Sequence, residues 1–345
     1  MVDPEFREYR VKAAVEDRWN HLWVGSFGYG VADIYLPSGF VTLMPFGLYQ
    51  DNINAIYFDD DDIWFGGEPF GASQNAITMW DRRDGTWRYF EGRYNDWISS
   101  DNVSDITGDD NFIFFATDYG LVKYYKHEEK FRSFTRPLGL RSTELYSLYL
   151  EDSLLFMGGS GTIDVLLIPK DSIFALRTPD LMFGKVYAMS HIGDNFWVGT
   201  DYGVYRFDKR SFKWSRFNIP SGYLGGAVWQ FLEGTSGDIW FAGSDGIVHL
   251  DSDLIEIESF LTRHDLKESM PHRIALADNL LWVGTDKGIL RYNRLTKNWL
   301  SYDMSDGLID NYVNDLKLEK DYIWFATQRG VTRFYWNNPL RIRNK

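Results

Sequence analysis

One short pattern, an aromatic residue followed two positions later by Gly or Ala, recurs eight times and leaves almost no part of the chain outside its period. The aromatics are Trp23, Trp64, Phe114, Phe156, Trp197, Trp240, Trp282 and Trp324, at intervals of 41, 50, 42, 41, 43, 42 and 42 residues. A period of this length made of short apolar runs and glycine turns is that of a four-stranded propeller blade, a unit that buries its faces only by stacking on neighbours. Two further columns keep the same period. The small residues are Gly25, Gly66, Ala116, Gly158, Gly199, Ala242, Gly284 and Ala326, where a missing side chain lets the next sheet approach. About eight residues before each aromatic stand Val15, Ile56, Ile106, Leu148, Met189, Phe231, Ile274 and Leu316, all apolar, which marks the buried face of a preceding strand.

Within a unit, the stretch Leu281 to Leu316 shows the order most plainly. LWVGT, a glycine turn at Gly288 and the segment Ile289 to Asn293 form a hairpin, an aromatic segment from Asn298 to Tyr302 follows, and a loop around Gly307 leads to the next unit. With strands named a to d from the axis outward, the aromatic anchor lies on b. The d strand carries paired aromatic or aliphatic residues three apart, as in Phe40 and Leu43, Trp87 and Phe90, Phe131 and Phe134, Trp214 and Phe217, and Trp299 and Tyr302. The four aspartates Asp59 to Asp62 fall at an a-to-b position that is acidic or Asn-rich in other units too, so they read as a hairpin turn and not as a metal site.

The expected fold is therefore all-β: an eight-bladed β-propeller of four-stranded antiparallel blades, one domain over residues 1–345, with blades near 10–43, 52–90, 102–134, 144–176, 185–217, 227–260, 270–302 and 312–342. A ring needs closure by a strand from one terminus. Phe6 and Tyr9 have the d spacing, but Tyr9 to Lys12 is too short to cross from an outer strand to the next inner one, so Leu340 to Ile342 is the better source.

Composition narrows function more than fold. A formal charge of -13 opposes nonspecific binding to nucleic acid and to anionic membrane. With no cysteine there are no disulfides, thiolate metal sites or cysteine nucleophiles. No apolar run is long enough to cross a bilayer, and the charged start MVDPEFREYR is not a signal peptide, so no membrane insertion is expected of these residues.

The seventh unit, with Leu281 to Thr285, Gly288, Arg291, Tyr292, Trp299, Tyr302, Asp306 to Leu308, Asn311 and Val313, resembles the two-component regulator propeller repeat, approximately LWVGTxxGLxRYD followed by an aromatic d strand and DGLxxNxV. The fifth (Trp197 to Thr200, Gly203, Tyr205 to Asp208) and eighth (Trp324 to Thr327, Gly330, Arg333, Phe334) fit well, and the fourth departs most. The resemblance implies a bacterial sensor-type propeller working in the periplasm or outside the cell, often as the sensory part of a membrane-bound histidine kinase. No kinase domain is expected within these residues.

Functional residues are expected where regularity fails. The b-to-c segment Gly67 to Ala76 is longer than its equivalents and offers Glu68 and Phe70, and the d-to-a loop that follows adds Tyr94 and Trp97. Strand parity about the buried column places Asp105, Gln230, Arg273 and Asp315 in one channel ring and Tyr57 and Tyr149 in another. These ten residues are the candidate ligand contacts, on the face carrying the b-to-c turns and d-to-a loops and in the central channel. Propeller lyases use a histidine with an acid at that face, so His272 beside Arg273, and His264, hold open an enzymatic alternative. No nucleophile motif accompanies them. The reading is a non-catalytic recognition module for a small polar ligand or a protein, monomeric as a domain, needing no cofactor and no metal. A structural scaffold that makes contact through its outer strands is a third possibility.

Overall fold

The computed structural model describes residues 11–26, 30–44, 46–69, 75–178, 184–218 and 225–337. The chain is all-β. It forms eight antiparallel sheets in sequence order, and within each the strands follow one another as a meander. The inner strands are Val11–Glu16, Asn52–Asp59, Val103–Gly108, Leu145–Glu151, Val186–Ile192, Val228–Glu233, Pro271–Ala277 and Val313–Glu319, which begin sheets 1 to 8. Sheets 1 to 7 have four strands each, and sheet 8 has three among the described residues. Both strands considered for closure, Phe6 with Tyr9 and Leu340 to Ile342, lie outside the described residues, as does Phe70.

Sheets 2 to 8 close a ring of seven, and sheet 1 stands outside it. Apolar clusters occupy the joints between consecutive sheets. Trp64 and Ile77 meet Val103 and Phe115, Phe114 and Phe134 meet Leu145 and Met157, Ile163 meets Val186 and Val198, and Trp197 meets Val228 and Phe241. The series continues with Trp240 against Ile274 and Val283, and Trp282 against Val313 and Phe325. The seventh cluster sets Trp324 and Ala326 of sheet 8 against Ile53, Ile56 and Phe65 of sheet 2, and among the described residues none of sheet 1 joins any of these clusters. The expected eight-membered ring is thus corrected to seven. The repeat pattern counts sheets correctly, but membership of the ring depends on which faces touch.

The small-residue column shows the same thing at atomic scale. A Cβ added to Gly66 would sit 2.5 Å from Val103, one on Gly158 2.7 Å from Val186, one on Gly199 2.6 Å from the Val228 carbonyl and one on Gly284 2.6 Å from Val313. Each of those valines belongs to the next sheet. A Cβ on Gly25 would meet only the carbonyl of Ala13, in its own sheet, at 3.8 Å. Gly199→Ala is therefore expected to cost about 1–3 kcal/mol by overpacking, whereas Gly25→Ala leaves the thermal unfolding midpoint unchanged. A comparison of the two melting curves checks both.

Val15, expected in the buried column, is 64% exposed, like the whole of its strand, because no neighbouring sheet among the described residues covers it, and its pairing with Trp23 is shifted by one place relative to the ring sheets. The aspartate run Asp59 to Asp62 forms the expected hairpin turn, with Asp60 at φ +51.

Candidate functional site

Every inner strand carries a β-bulge near its start, visible as a register shift across its second residue, or across the third in Asn52–Asp59. A bulge leaves one residue unpaired and re-aims its side chain. In the ring these residues are Asn54, Ser104, Tyr146, Tyr187, Trp229, His272 and Asn314. With Arg273 and Tyr312 they line a single cavity of about 290 Å³. Because they sit at the N-terminal ends of the inner strands, the cavity opens on the face where the d-to-a loops enter.

The rings pack as a series. Tyr146 and Tyr187 lie edge to face with centroids 5.6 Å apart, Trp229 and His272 do so at 5.3 Å, and His272 and Tyr312 are 4.8 Å apart. Between them the amides and the imidazole tie sheet to sheet. Asn54 Nδ2 donates to the Val103 carbonyl at 3.2 Å, His272 Nδ1 to that of Val313 at 2.8 Å, and Asn314 Nδ2 to that of Ile53 at 2.8 Å. A carbonyl only accepts, so the His272 proton is on Nδ1, and Nε2 is left as an acceptor. Burial pushes the His272 pKa below its ordinary value, the Val313 carbonyl resists the shift, and Arg273 adds to it.

That direction has a consequence for stability. The folded state prefers neutral His272, so its contribution is present above the unfolded value of about 6.5 and is lost as pH falls through the lower folded value. Relative to His272→Gln, the wild type is expected to lose melting temperature between pH 7.5 and 5. Parallel melting curves would show that His272 carries no such burden.

Below the mouth, the residues placed in the first channel ring serve largely as joints. Asp105 Oδ2 accepts from the Leu148 amide at 2.8 Å, Gln230 Oε1 from the Ile274 amide at 2.6 Å, and Asp315 Oδ2 from the Ile56 amide at 3.1 Å. Each reaches from its own sheet to the next one in the ring. Asp315 also lies 3.6 Å from Arg273 Nε and 3.8 Å from Lys317 Nζ. Burial pushes the Asp105 carboxyl above its usual range, against Lys317, the Leu148 amide and Arg273, and Asp315 pushes the same way. Arg273 spans both levels: its Nη1 donates to the carbonyls of Trp229 at 3.2 Å and His272 at 3.0 Å, and its side chain lines the mouth.

Other expected contacts are dispersed. Tyr57 donates to the Gly108 carbonyl at 2.9 Å, and burial with the nearby Asp59 raises its pKa to about 12. Tyr149 packs on Phe156 and Phe196 between sheets 4 and 5. Neither lines the mouth. Strand parity fails here because both faces of a propeller sheet abut neighbouring sheets, so the channel is lined by the edge of the inner strand. Glu68 accepts from Asn52 at 3.4 Å, and Asn52 in turn accepts from the mouth residue Asn314 at 2.7 Å. Trp97, 68% exposed, lines a separate cleft of about 560 Å³ with Phe90, Tyr125 and Phe131 at the outer edges of sheets 2 and 3. Tyr94, half exposed, lies under the Arg93 guanidinium, and His264 lines neither cavity. Among the described residues no group of three His, Asp or Glu is placed to hold a metal, and no helix is long and apolar enough to cross a membrane.

No family model matches the chain. A histidine kinase, P4, of Formosa agariphila is 22% identical over 289 residues, 77% of this chain but 21% of its own length. The chain thus spans about a fifth of that relative. PorZ, described as an essential bacterial surface component of the type-IX secretion system of Porphyromonas gingivalis, aligns over 94% of this chain and 52% of its own, with a TM-score of 0.66 and 14% identity. Virginiamycin B lyase of Staphylococcus aureus aligns over 82% of this chain and 94% of its own, at 0.62 and 15%. At such identities the structural likeness is one of fold.

Proposed function

We propose that the protein is a sensor-type recognition module of the regulator-propeller kind, which works outside the cytoplasm and takes a small polar ligand at the mouth of its ring. One observation carries the reading: all seven ring sheets send their bulge residue into the same cavity of about 290 Å³. Its aromatic rings offer apolar faces, while Asn54, Asn314 and Arg273 offer fixed polar contacts, which is the composition of a preformed small-ligand site. Rigid strands position these groups, so little ordering is needed on binding. The likeness to a stretch of a histidine kinase supports the sensory setting, and the likeness to PorZ, a bacterial surface component, supports an exported one.

A lyase reading has less support. His272 donates its Nδ1 proton to a backbone carbonyl, stands beside the cation Arg273 and has no carboxylate hydrogen bond among the described residues, and the likeness to virginiamycin B lyase is one of fold.

A thermal-shift panel of amino acids, mono- and disaccharides and small dicarboxylates tests the site. Any compound that raises the melting temperature is expected to lose about tenfold or more in affinity on Arg273→Ala, since a charge-assisted hydrogen bond contributes about 1.5–3 kcal/mol. Trp97→Ala should leave that affinity unchanged. Loss on Trp97→Ala with Arg273→Ala unaffected would move the site to the outer cleft.

A further inference from the structure

We infer that the mouth selects an α-amino acid with an apolar or aromatic side chain, held by its ammonium group as well as by its carboxylate, an inference that rests on the mouth being the small-ligand site. What decides the class is where the lining side chains have already placed their protons. His272 gives its Nδ1 proton to the Val313 carbonyl, Asn54 Nδ2 donates to the Val103 carbonyl, and Asn314 Nδ2 donates both to Asn52 Oδ1 and to the Ile53 carbonyl. Carbonyl oxygens only accept, which fixes the tautomer of His272 and the amide orientation of both asparagines. Three acceptors are left over, His272 Nε2, Asn54 Oδ1 and Asn314 Oδ1, and none of them receives a hydrogen bond among the described residues.

Such a mouth calls for a ligand that brings N–H or O–H donors, and the surrounding charge narrows the donor to a cation. Burial raises the pKa of Tyr146, Tyr187 and Tyr312, and the neighbouring carboxylates of Glu144, Asp201 and Asp286 raise it further. Those three acids stand near the rings without lining the cavity, so they favour positive charge there and leave the contacts to the acceptors. Lys185 Nζ lies 4.5 Å from the Tyr146 ring centroid, so one ring of the set already holds a cation. A dicarboxylate or a phosphate would instead bring acceptors to acceptors.

The anionic end of the ligand has its own partner. Arg273 is the one cation that lines the cavity, and while its Nη1 is spent on the Trp229 and His272 carbonyls, its Nη2 makes no hydrogen bond among the described residues. Asp315, 3.6 Å from Arg273 Nε, tempers its repulsion of a nearby ammonium. His272, Arg273 and Asn314 stand on the neighbouring inner strands Pro271–Ala277 and Val313–Glu319, which sets the guanidinium beside two of the acceptors. An α-amino acid carries its two charges on a single carbon and suits that proximity. Its side chain is left to the rings of Tyr146, Tyr187 and Trp229.

Isothermal titration of the full chain at neutral pH compares L-phenylalanine and L-leucine with their deaminated counterparts, 3-phenylpropionate and 4-methylpentanoate. At least one of the two amino acids is expected to bind, with its deaminated counterpart about tenfold or more weaker, because charge-assisted hydrogen bonds are lost with the ammonium. Arg273→Ala should weaken that amino acid by about tenfold as well. The paired comparison uses the wild-type chain, so it stands whatever the substitution does to folding. A deaminated acid that binds as tightly as its amino acid overturns the inference, and if its binding depends on Arg273 the mouth remains a ligand site. Binding of a saccharide or a dicarboxylate through Arg273, with neither amino acid bound, has the same meaning. Absence of any Arg273-dependent binding overturns both the inference and the assignment of the mouth.

Discussion

Replacement of Asp315 by alanine is expected to destabilise the fold by about 4 kcal/mol. The carboxylate accepts from the Ile56 amide at 3.1 Å and from the Leu316 amide at 2.9 Å, and its side chain is 5% exposed beside Arg273 and Lys317. Alanine leaves two amides without an acceptor and two cations without their counter-charge, at the place where the last sheet of the ring meets the first. The lost acceptors account for about 1–3 kcal/mol and the uncompensated cations for the rest. Both cations keep some contact with water, which holds the figure below that for a fully buried charge. In a melting experiment the effect is a fall on the order of 10 °C. Ser147→Ala, which removes a single hydroxyl bond to the Val186 carbonyl at 2.8 Å in another joint, should cost about 1 kcal/mol. Equal effects from the two would show that Asp315 has no special place in closure.

The second large effect is expected at Asp171, between sheets 3 and 4. Its carboxylate accepts from Lys123 Nζ at 2.7 Å, from the Tyr125 hydroxyl at 2.7 Å and from Arg132 at 2.5 Å. Lys123 is 1% exposed, and its ammonium lies 3.9 Å from the Phe112 ring centroid and 4.5 Å from that of Tyr125. Removing the acid leaves a buried cation with only ring faces for company, so Asp171→Ala should cost about 3 kcal/mol. Asp171 also holds φ at +48, a conformation asparagine tolerates and alanine does not. Asp171→Asn should therefore recover the backbone part of the loss but not the charge part. Burial works against ionisation of Asp171, and the Lys123 and Tyr125 hydrogen bonds more than offset it, which holds its pKa below the ordinary carboxylate value. A depressed acid contributes above its unfolded value and loses that contribution as pH falls through the folded one. The gap between wild type and Asp171→Ala should accordingly narrow only in strong acid. A gap that stays constant down to about pH 2 would contradict the ionic account.

The sequence made the repeats plain because packing imposes them: Gly66, Gly158, Gly199 and Gly284 recur since each sheet needs the same close approach at the same depth. The aromatics on strand b recur because Trp64, Trp197, Trp240 and Trp282 fill equivalent joints, each at most 1% exposed. Periodicity does not say which sheets touch. Trp23 and Gly25 satisfy the pattern as well as any other copy, yet their sheet lies outside the ring, and only the contacts of Trp324 and Asp315 with sheet 2 reveal it.

The site was legible in part. Arg273 and His272 were found because they stand beside a regular column, and both reach the mouth. Tyr146, Tyr187, Trp229 and Asn314 were missed because a one-residue bulge breaks the alternation on which parity rests. The signal was present in principle: the bulge column varies from Asn to Trp while the residue before it keeps to Ile, Val, Leu and Pro.

Removal of residues 1–45 tests the central claim most directly. A chain beginning at Phe46 keeps the segment in which Tyr49 packs against Tyr89 and keeps all seven apolar clusters of the ring. It is expected to unfold in one cooperative transition within about 3 °C of the full chain, a change of no more than about 1 kcal/mol. A chain that no longer unfolds cooperatively, or melts more than about 10 °C lower, would mean that sheet 1 belongs to the ring after all.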